Sequence, residues 1–558
     1  MEAIPLTKYV IITGGVMSGL GKGITAASIG RMLQARGHTV TAMKADGYFN
    51  YDAGTLRPTE HGEVWVTHDG GEIDEDFGHY ERFMDINLPK SHNVTSGQIY
   101  GQVIQNERQG KYLGMTVQFI PHVTDEVKRR IREVALSEQV DVLIYEIGGV
   151  VGDYENLHFT EAIRQMRMEE GPRSLVHVHV SYLPIPEHLG EPKTKPTQHS
   201  VNKLREQGIP PDFIVCRASK MIDEVRRSKI SLFCDVYPQD IISDPDVECV
   251  YELPLLFEQQ GLGERLTERL GLKYRKPRLD DWAAMVQRMK DPKRWVRIAL
   301  VGKYVDTGSY RLPDSYVSIN EAIKHAAAWH EAGAKISWMD SKQFETDQDS
   351  VRCLDAEDGI IVPGGFGTTG VEGKIKAIEY VRKNGIPFLG ICFGFQCAVV
   401  EYALNQMGLA GAHSTEMNPD TPHPVIDILP EQKKIIRESR YGATMRLGAY
   451  PAKLTPKTKT ARLYESLGKM DKEGLTFERH RHRYEVSPRY SDMIDAAGLR
   501  FVGRSPNGLL MEFLELDGHP YFVGTQAHPE FLSRPLSPAP LFCGLIEAAL
   551  KRSAARTT

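Results

Sequence analysis

Residues 9–23 read Tyr9-Val10-Ile11-Ile12-Thr13-Gly14-Gly15-Val16-Met17-Ser18-Gly19-Leu20-Gly21-Lys22-Gly23. The opening run is apolar without alternation, as in a central parallel strand buried on both faces. The glycines after Thr13 let backbone amides turn toward a polyanion, and a helix starting near Ile24 brings its positive dipole end there. Lys22 adds a mobile point charge for terminal phosphates. Ser18, Gly19, Leu20, Gly21, Lys22 and Gly23 are therefore candidates to cradle a nucleoside triphosphate. The strict phosphate-loop spacing fails at two places. Val16 stands where the first glycine belongs, and Gly23 where a Ser or Thr would hold magnesium. The ligands for that ion must come from elsewhere.

Outward from this loop, short apolar strands alternate with helical stretches. The strands are expected at Val40–Met43, Thr116–Ile120, Val142–Ile147, Leu175–Val180 and Phe213–Val215. Such alternation predicts a doubly wound parallel sheet with ligands at the carboxyl ends of its strands. Polar residues collect there. Lys44 and Asp46 end the second strand, Glu146 ends a later one, and Glu72-Ile73-Asp74-Glu75-Asp76 is a dense acidic loop. Magnesium takes one or two carboxylates plus phosphate oxygens, so Asp76 and Glu146 are the candidate pair. Asp74 and Glu75 read as a solvated loop. In Lys193-Thr194-Lys195-Pro196-Thr197-Gln198, two lysines precede a helix whose first turn accepts proline, which suits a second polyphosphate pocket, although taken alone the segment reads better as a surface charge pair.

The 558 residues require two or more cores. Residues 1–270 read as a phosphate-loop α/β domain (the ATP-dependent synthetase domain in the family resemblance given below), 271–295 as a linker, 296–552 as a second α/β domain and 553–558 as a tail. A charged fraction of 25% and a net charge of -5 give no reason to expect nucleic acid. Seven cysteines without a CxxC pair fit a reducing compartment. No apolar run is long enough for a bilayer, and the expected location is the cytoplasm.

In the second half, Gly359-Ile360-Ile361-Val362 runs into Pro363-Gly364-Gly365-Phe366-Gly367. Phe388-Leu389-Gly390-Ile391 runs into Cys392-Phe393-Gly394-Phe395-Gln396. Gly390-x-Cys392-x-Gly394 between strand and helix has the form of a nucleophile elbow. The amides of Gly365 and Phe393 are placed to serve as an oxyanion hole. His528 supplies a base and Glu530 a carboxylate to orient it. The basic run Glu478–Arg483 is short, and one or two of its arginines would bind a carboxylate from within a pocket.

Together these motifs resemble the CTP synthase family over nearly the whole chain, from about Lys8 to the last helix. The resemblance implies a variant P-loop doubly wound parallel-sheet domain followed by an α/β class I glutamine amidotransferase domain. It implies that magnesium-ATP phosphorylates the 4-oxygen of UTP and that ammonia from glutamine then displaces phosphate to give CTP. A carbonyl oxygen is a poor leaving group until phosphorylated, and phosphoryl transfer needs mainly positioning and charge neutralisation.

By the same resemblance, Lys22, Lys44 and Arg217 would contact ATP, and Asp76 and Glu146 would hold magnesium. Ser18, Gln118, Lys193, Lys195, Gln198 and Lys229 would bind the pyrimidine nucleotide, partly across a subunit interface, with Asp153 and Glu155 tied to CTP feedback. Cys392, His528 and Glu530 would form the triad, while Gly365, Phe393, Gln396, Glu416 and Arg483 would hold glutamine. A homotetramer, filament formation and activation by GTP are implied too. The departures from the family pattern are Gly47 for Pro, Arg57 for a small polar residue, Val150 for Thr, Tyr154 for Ile and Asn156 for Ser. In the second half they are Thr369 for Arg, His413 for Asn and Ala443 for Gly. Thr369 counts against GTP activation. The changes in the first half leave open a paralogue that aminates a modified uracil nucleotide. A nucleotide-sensing filament protein without catalysis is the alternative from another class.

Overall fold

The computed structural model describes residues 7–54, 56, 62–302, 306–307, 310–311, 316–346, 349–365, 369–428 and 445–557. Arg57 and Ala443 lie outside the described residues. The chain divides into two compact units. The first comprises 1–55 and 73–286, the second 56–72 and 287–558.

The first unit is built on seven strands: β1 (Lys8–Gly15), β2 (Val40–Asp46), β3 (Asn93–Thr95), β4 (Val142–Ile147), β5 (Leu175–Tyr182), β6 (Phe213–Ala218) and β7 (Ile241–Pro245). Their order is β3-β2-β4-β1-β5-β6-β7, and every pairing is parallel. The unbroken run Tyr9–Ile12 is buried on both faces because β1 lies between β4 and β5. The order reverses beside β1, which places the loop after β1 at the switch point of the sheet.

The expected strand at Thr116–Ile120 does not form. Phe119–Val123 is instead a π-helical turn that leads into the Thr124–Glu138 helix. The stretch 113–116 and 118–120 is exposed, so its apolar side chains find no sheet to cover and its backbone no neighbouring strand. The 271–295 stretch also carries structure, a helix at Asp280–Lys290 that buries Trp282 against Phe83 and Tyr251. Its Trp282 indole donates to the Tyr251 carbonyl at 2.7 Å.

The second unit holds β8 (Arg294–Gly302), β9 (Ala332–Asp340), β10 (Gly359–Val362), β11 (Phe388–Ile391), β12 (Arg446–Leu454), β13 (Leu475–His482), β14 (Leu499–Arg504), β15 (Met511–Leu516) and β16 (Phe522–Thr525). They form one sheet in the order β9-β8-β10-β11-β16-β15-β14-β12-β13. The pairings from β9 to β16 are parallel and the rest antiparallel.

Residues 56–72 group with this unit although they come from the first seventy of the chain. Trp65 is fully buried there, edge-on to Phe531 at 5.0 Å and under the Arg479 guanidinium. Arg479 also donates to the Val66 carbonyl at 2.9 Å. Glu63 accepts from the backbone amide of Ser318 at 3.0 Å, and Glu72 from Arg481 at 2.8 Å.

Candidate active sites

In the first unit, the loop after β1 bends through Val16, Gly19 and Gly21, all with positive φ, into the helix Lys22–Ala35. Lys22 Nζ donates to the Gly149 carbonyl at 2.8 Å, and the Val151 amide donates to the Gly14 carbonyl at 2.8 Å. The loop after β4 is thus held against the loop after β1. Gly23 explains the missing Ser or Thr. A Cβ on it would lie 2.3 Å from Asp76 Oδ1, so the Asp76 carboxylate occupies the room a side chain there would take.

Lys44 Nζ donates to Asp74 at 2.6 Å and to Asp76, and lies 3.6 Å from Asp46. Asp74 is therefore a half-buried member of a charge cluster around the buried Lys44, not the solvated loop residue its sequence context suggested. Burial pushes Asp74 up to about 6. Burial acts in the same direction on Asp76, but Lys44, His79 and Lys22 together outweigh it and hold that carboxyl down at about 2. Glu146 is raised to about 8, first by burial and then by the Asp76 charge. Its Oε2 accepts from the Tyr80 hydroxyl, and its buried Oε1 has no hydrogen-bond partner.

Among the described residues no three histidine, cysteine or carboxylate side chains make a metal site by themselves. Magnesium does not require this, since it uses one or two carboxylates and completes its shell with phosphate oxygens and water. An orphaned buried carboxylate oxygen on Glu146 near the Asp76 charge fits that demand.

Arg217 lies at the carboxyl end of β6, donating to the Pro245 carbonyl at 2.7 Å and pairing with Asp246 at 2.8 Å. Lys195 opens the Lys195–Glu206 helix with its ammonium over the Phe233 ring, and Gln198 bonds Thr194. Lys193 pairs with Glu191. Asp153 accepts from the Val150 amide at 3.0 Å. Gln118, Glu155 and Lys229 have exposed side chains.

The second unit carries a different chemistry. Cys392 sits between β11 and the Phe393–Asn405 helix at φ 52°, a conformation L-residues rarely adopt. Gly394 allows the turn, since a Cβ there would meet the Val362 carbonyl oxygen at 1.9 Å. Strain of this kind is typical of sites that must present one side chain.

The Cys392 thiol and His528 line one cavity, and the thiol donates to the Arg481 carbonyl oxygen over 3.9 Å. His528 Nδ1 lies 2.7 Å from Glu530 Oε1. Burial would lower the His528 pKa, yet Glu530 and Cys392 together raise it to about 10. Neutral pH therefore favours an imidazolium there. Around the thiol is a cavity of about 120 Å³ lined by Gly364, Gly365, Phe393, Gln396, Glu416, Arg483 and the triad. Gln396 is oriented by the Tyr484 carbonyl at 3.0 Å and by Gln526 at 3.2 Å.

Comparison with known proteins gives two family matches along the chain. The family description CTP synthase N-terminus matches residues 8–272, and Glutamine amidotransferase class-I matches residues 311–548. A CTP synthase of Pyrococcus furiosus is 53% identical over 545 residues, covering 98% of each chain. One from Methanopyrus kandleri is 54% identical over 543 residues, 97% of this chain and 99% of its own. The chain belongs to the CTP synthase family. The CTP synthase of Caldanaerobacter subterraneus is 51% identical over 545 residues, again 98% of each chain. Among solved structures, the Trypanosoma brucei CTPS glutaminase domain with bound acivicin is 33% identical, with a TM-score of 0.42 over 46% of this chain and 94% of that one.

Two departures from the CTP synthase pattern turn out to be neighbours. A Cβ on Gly47 would come 2.6 Å from Asn156 Oδ1, and Asn156 Nδ2 donates to the Gly148 carbonyl at 2.9 Å. Tyr154 is exposed, and Thr369 is exposed in the turn before the Val371–Lys383 helix. His413 lies 3.3 Å from Glu372. The sequence reading missed Glu63, Val64, Tyr316, Ile319 and Phe531 of the Cys392 cavity. No motif marks them. Only the fold returns residues 63–64 to a cysteine more than three hundred positions on.

Proposed function

We propose that this chain aminates UTP to CTP, using magnesium-ATP to phosphorylate the uracil 4-oxygen and glutamine as the source of ammonia. The observation that carries the reading is one chain holding both a Gly23–Asp76–Lys44 phosphate site and a Cys392–His528–Glu530 triad. Lys22 and Lys44, with the amides of residues 18–23, hold the ATP phosphates, and Arg217 lies on the ATP side. Asp76 and Glu146 would hold magnesium, which when bound neutralises phosphate charge. Gln118, Lys193, Lys195, Gln198 and Lys229 bind the pyrimidine nucleotide, and Asp153 and Glu155 serve CTP feedback.

In the second unit, Cys392 attacks the glutamine amide carbon. The amides of Gly365 and Phe393 hold the oxyanion, and His528 gives its proton to the departing ammonia. Glu416 and Arg483 meet the ammonium and carboxylate of glutamine. The exposed Phe49, Tyr51, Leu113, Met115 and Tyr154 of the first unit support self-association as a homotetramer, from which filaments would grow, in the cytoplasm. GTP activation belongs to the same family reading, but Thr369 brings no guanidinium to it.

One observation favours the modified-nucleotide reading. Val150 lines a cavity of about 430 Å³ with Val16, Pro196, His199 and Lys203. The family hydroxyl is missing from that half-buried position. Steady-state comparison of UTP with other uracil nucleotides separates the two. Amination of UTP at ordinary efficiency rules out the paralogue. A large preference for another uracil nucleotide rules out UTP.

A further inference from the structure

Thr13, His177, His179 and Ser200 form a buried polar relay that the proposed chemistry leaves unused. Thr13 lies in β1 just ahead of Gly14-Gly15 and pairs in register with His179 of β5, while Ser200 lies on the Lys195–Glu206 helix. Thr13 Oγ1 is 2.8 Å from His177 Nε2 and 2.9 Å from His179 Nδ1, and His179 Nε2 is 2.8 Å from Ser200 Oγ. At the outer end His177 Nδ1 is 3.0 Å from the Ile209 carbonyl oxygen. A carbonyl only accepts, so His177 Nδ1 carries a proton and its Nε2 accepts from the Thr13 hydroxyl. The Thr13 oxygen then accepts from His179 Nδ1–H, and His179 Nε2 accepts from the Ser200 hydroxyl. One orientation satisfies every member. Burial, then the neighbouring His177 and Lys22, hold His179 down at about 3, and burial holds His177 at about 4, so both rings are neutral.

This relay bears directly on the start of the phosphate loop. A Cβ on Gly15 would come 1.6 Å from Ser200 Oγ and 2.7 Å from His179 Nε2, and a Cβ on Gly14 would come 2.6 Å from Lys22 Cδ. The two glycines thus let the relay and the Lys22 side chain close on the same stretch of backbone. We propose that Thr13, His179 and Ser200 are positioning residues for ATP, whose one-way hydrogen-bond relay sets Gly14-Gly15, and through them Lys22, against the helix that opens at Lys195. A fully satisfied buried network of this kind rigidifies what it joins, and one broken link leaves its neighbours unpaired. Ser181 Oγ donates to Thr197 Oγ1 at 2.9 Å and ties β5 to the same helix independently, so the helix keeps a second anchor when Ser200 is changed. The proposal rests on the reading of residues 18–23 as the ATP cradle.

The test uses full-length T13V, T13S, S200A and the double variant T13V/S200A. Two readouts are taken: kcat and the KM values for ATP and ammonia in ammonia-dependent UTP amination, and the ¹⁵N spectrum of histidine-labelled protein, which reports ring tautomers. T13V and S200A are expected to raise the KM for ATP by roughly tenfold, as loss of one buried partner allows, and to leave that for ammonia within about twofold. T13S keeps the hydroxyl and is expected to restore ATP use. The double variant is expected to be no worse than T13V, because a single relay is broken only once. His177 and His179 are expected as neutral Nδ1–H tautomers in the wild type. An unchanged KM for ATP in T13V and S200A, additive losses in the double variant, or a T13S as impaired as T13V overturns the proposal. So does a fall in kcat with KM unmoved, which marks general packing, or an Nε2–H tautomer at His179. K22A separates the two layers: ordinary ATP use in K22A removes the phosphate-site reading itself, whereas a dead K22A beside a normal T13V removes only the relay.

Discussion

Gly23 has no side chain, and the carboxylate of Asp76 fills the room this leaves. A Cβ at that position would lie 2.3 Å from Asp76 Oδ1 and 2.8 Å from its Cγ. Gly23→Ala is therefore expected to displace Asp76 from Lys44 and Lys22. A displacement of about 1 Å in a positioned group can cost roughly a hundredfold in rate, and ammonia-dependent amination should fall on that scale while glutaminase activity stays. Equal activity in the two assays would show that Asp76 is not where the phosphates need it.

At the triad, His528 is raised to about 10 against an ordinary 6.5 because Glu530 and Cys392 outweigh burial. A carboxylate favours the charged imidazole, so Glu530→Gln should lower the His528 midpoint seen by NMR titration. The sign for stability follows. The ion pair's contribution is complete below pH 6.5 and fades as pH rises through about 10. A midpoint unchanged in Glu530→Gln would contradict the pairing.

At the scale of elements, most of the first unit was legible because its strands are short apolar runs ending in functional residues. β1, β2, β4, β5 and β6 all fall where the alternation puts them. The failure at Thr116–Ile120 has a physical cause. Val117, Phe119 and Ile120 are apolar in composition, but that stretch is largely exposed and pairs with no strand. The candidate sites were legible to the extent that motifs are local: Gly390–Gly394 and His528–Glu530 each lie within a few residues.

The 62–72 segment was illegible because its partners, Arg479, Phe531 and Ser318, are distant in the chain. Trp65 is the anchor of that segment. Its partner Phe531 stacks on His528 at 5.3 Å, so packing and chemistry are joined there. Trp65→Ala should destabilise the second unit by about 3–5 kcal/mol and slow glutamine hydrolysis. Unaltered denaturation would mean that 62–72 is only an attached loop.

For the whole molecule, the chain carries both the CTP synthase N-terminal match and the class I glutamine amidotransferase match. Composition excluded little beyond a strongly basic nucleic-acid binder, and the assignment rests on specific residues. No helix among the described residues is long and apolar enough to cross a membrane. The most direct test supplies UTP, ATP, magnesium and glutamine carrying ¹⁵N in its side-chain amide, and identifies the nucleotide product by mass. The expected result is CTP bearing the isotope, with C392A forming CTP only when free ammonia is added. Absence of CTP from the wild type, or isotope-labelled CTP from C392A, would contradict the account.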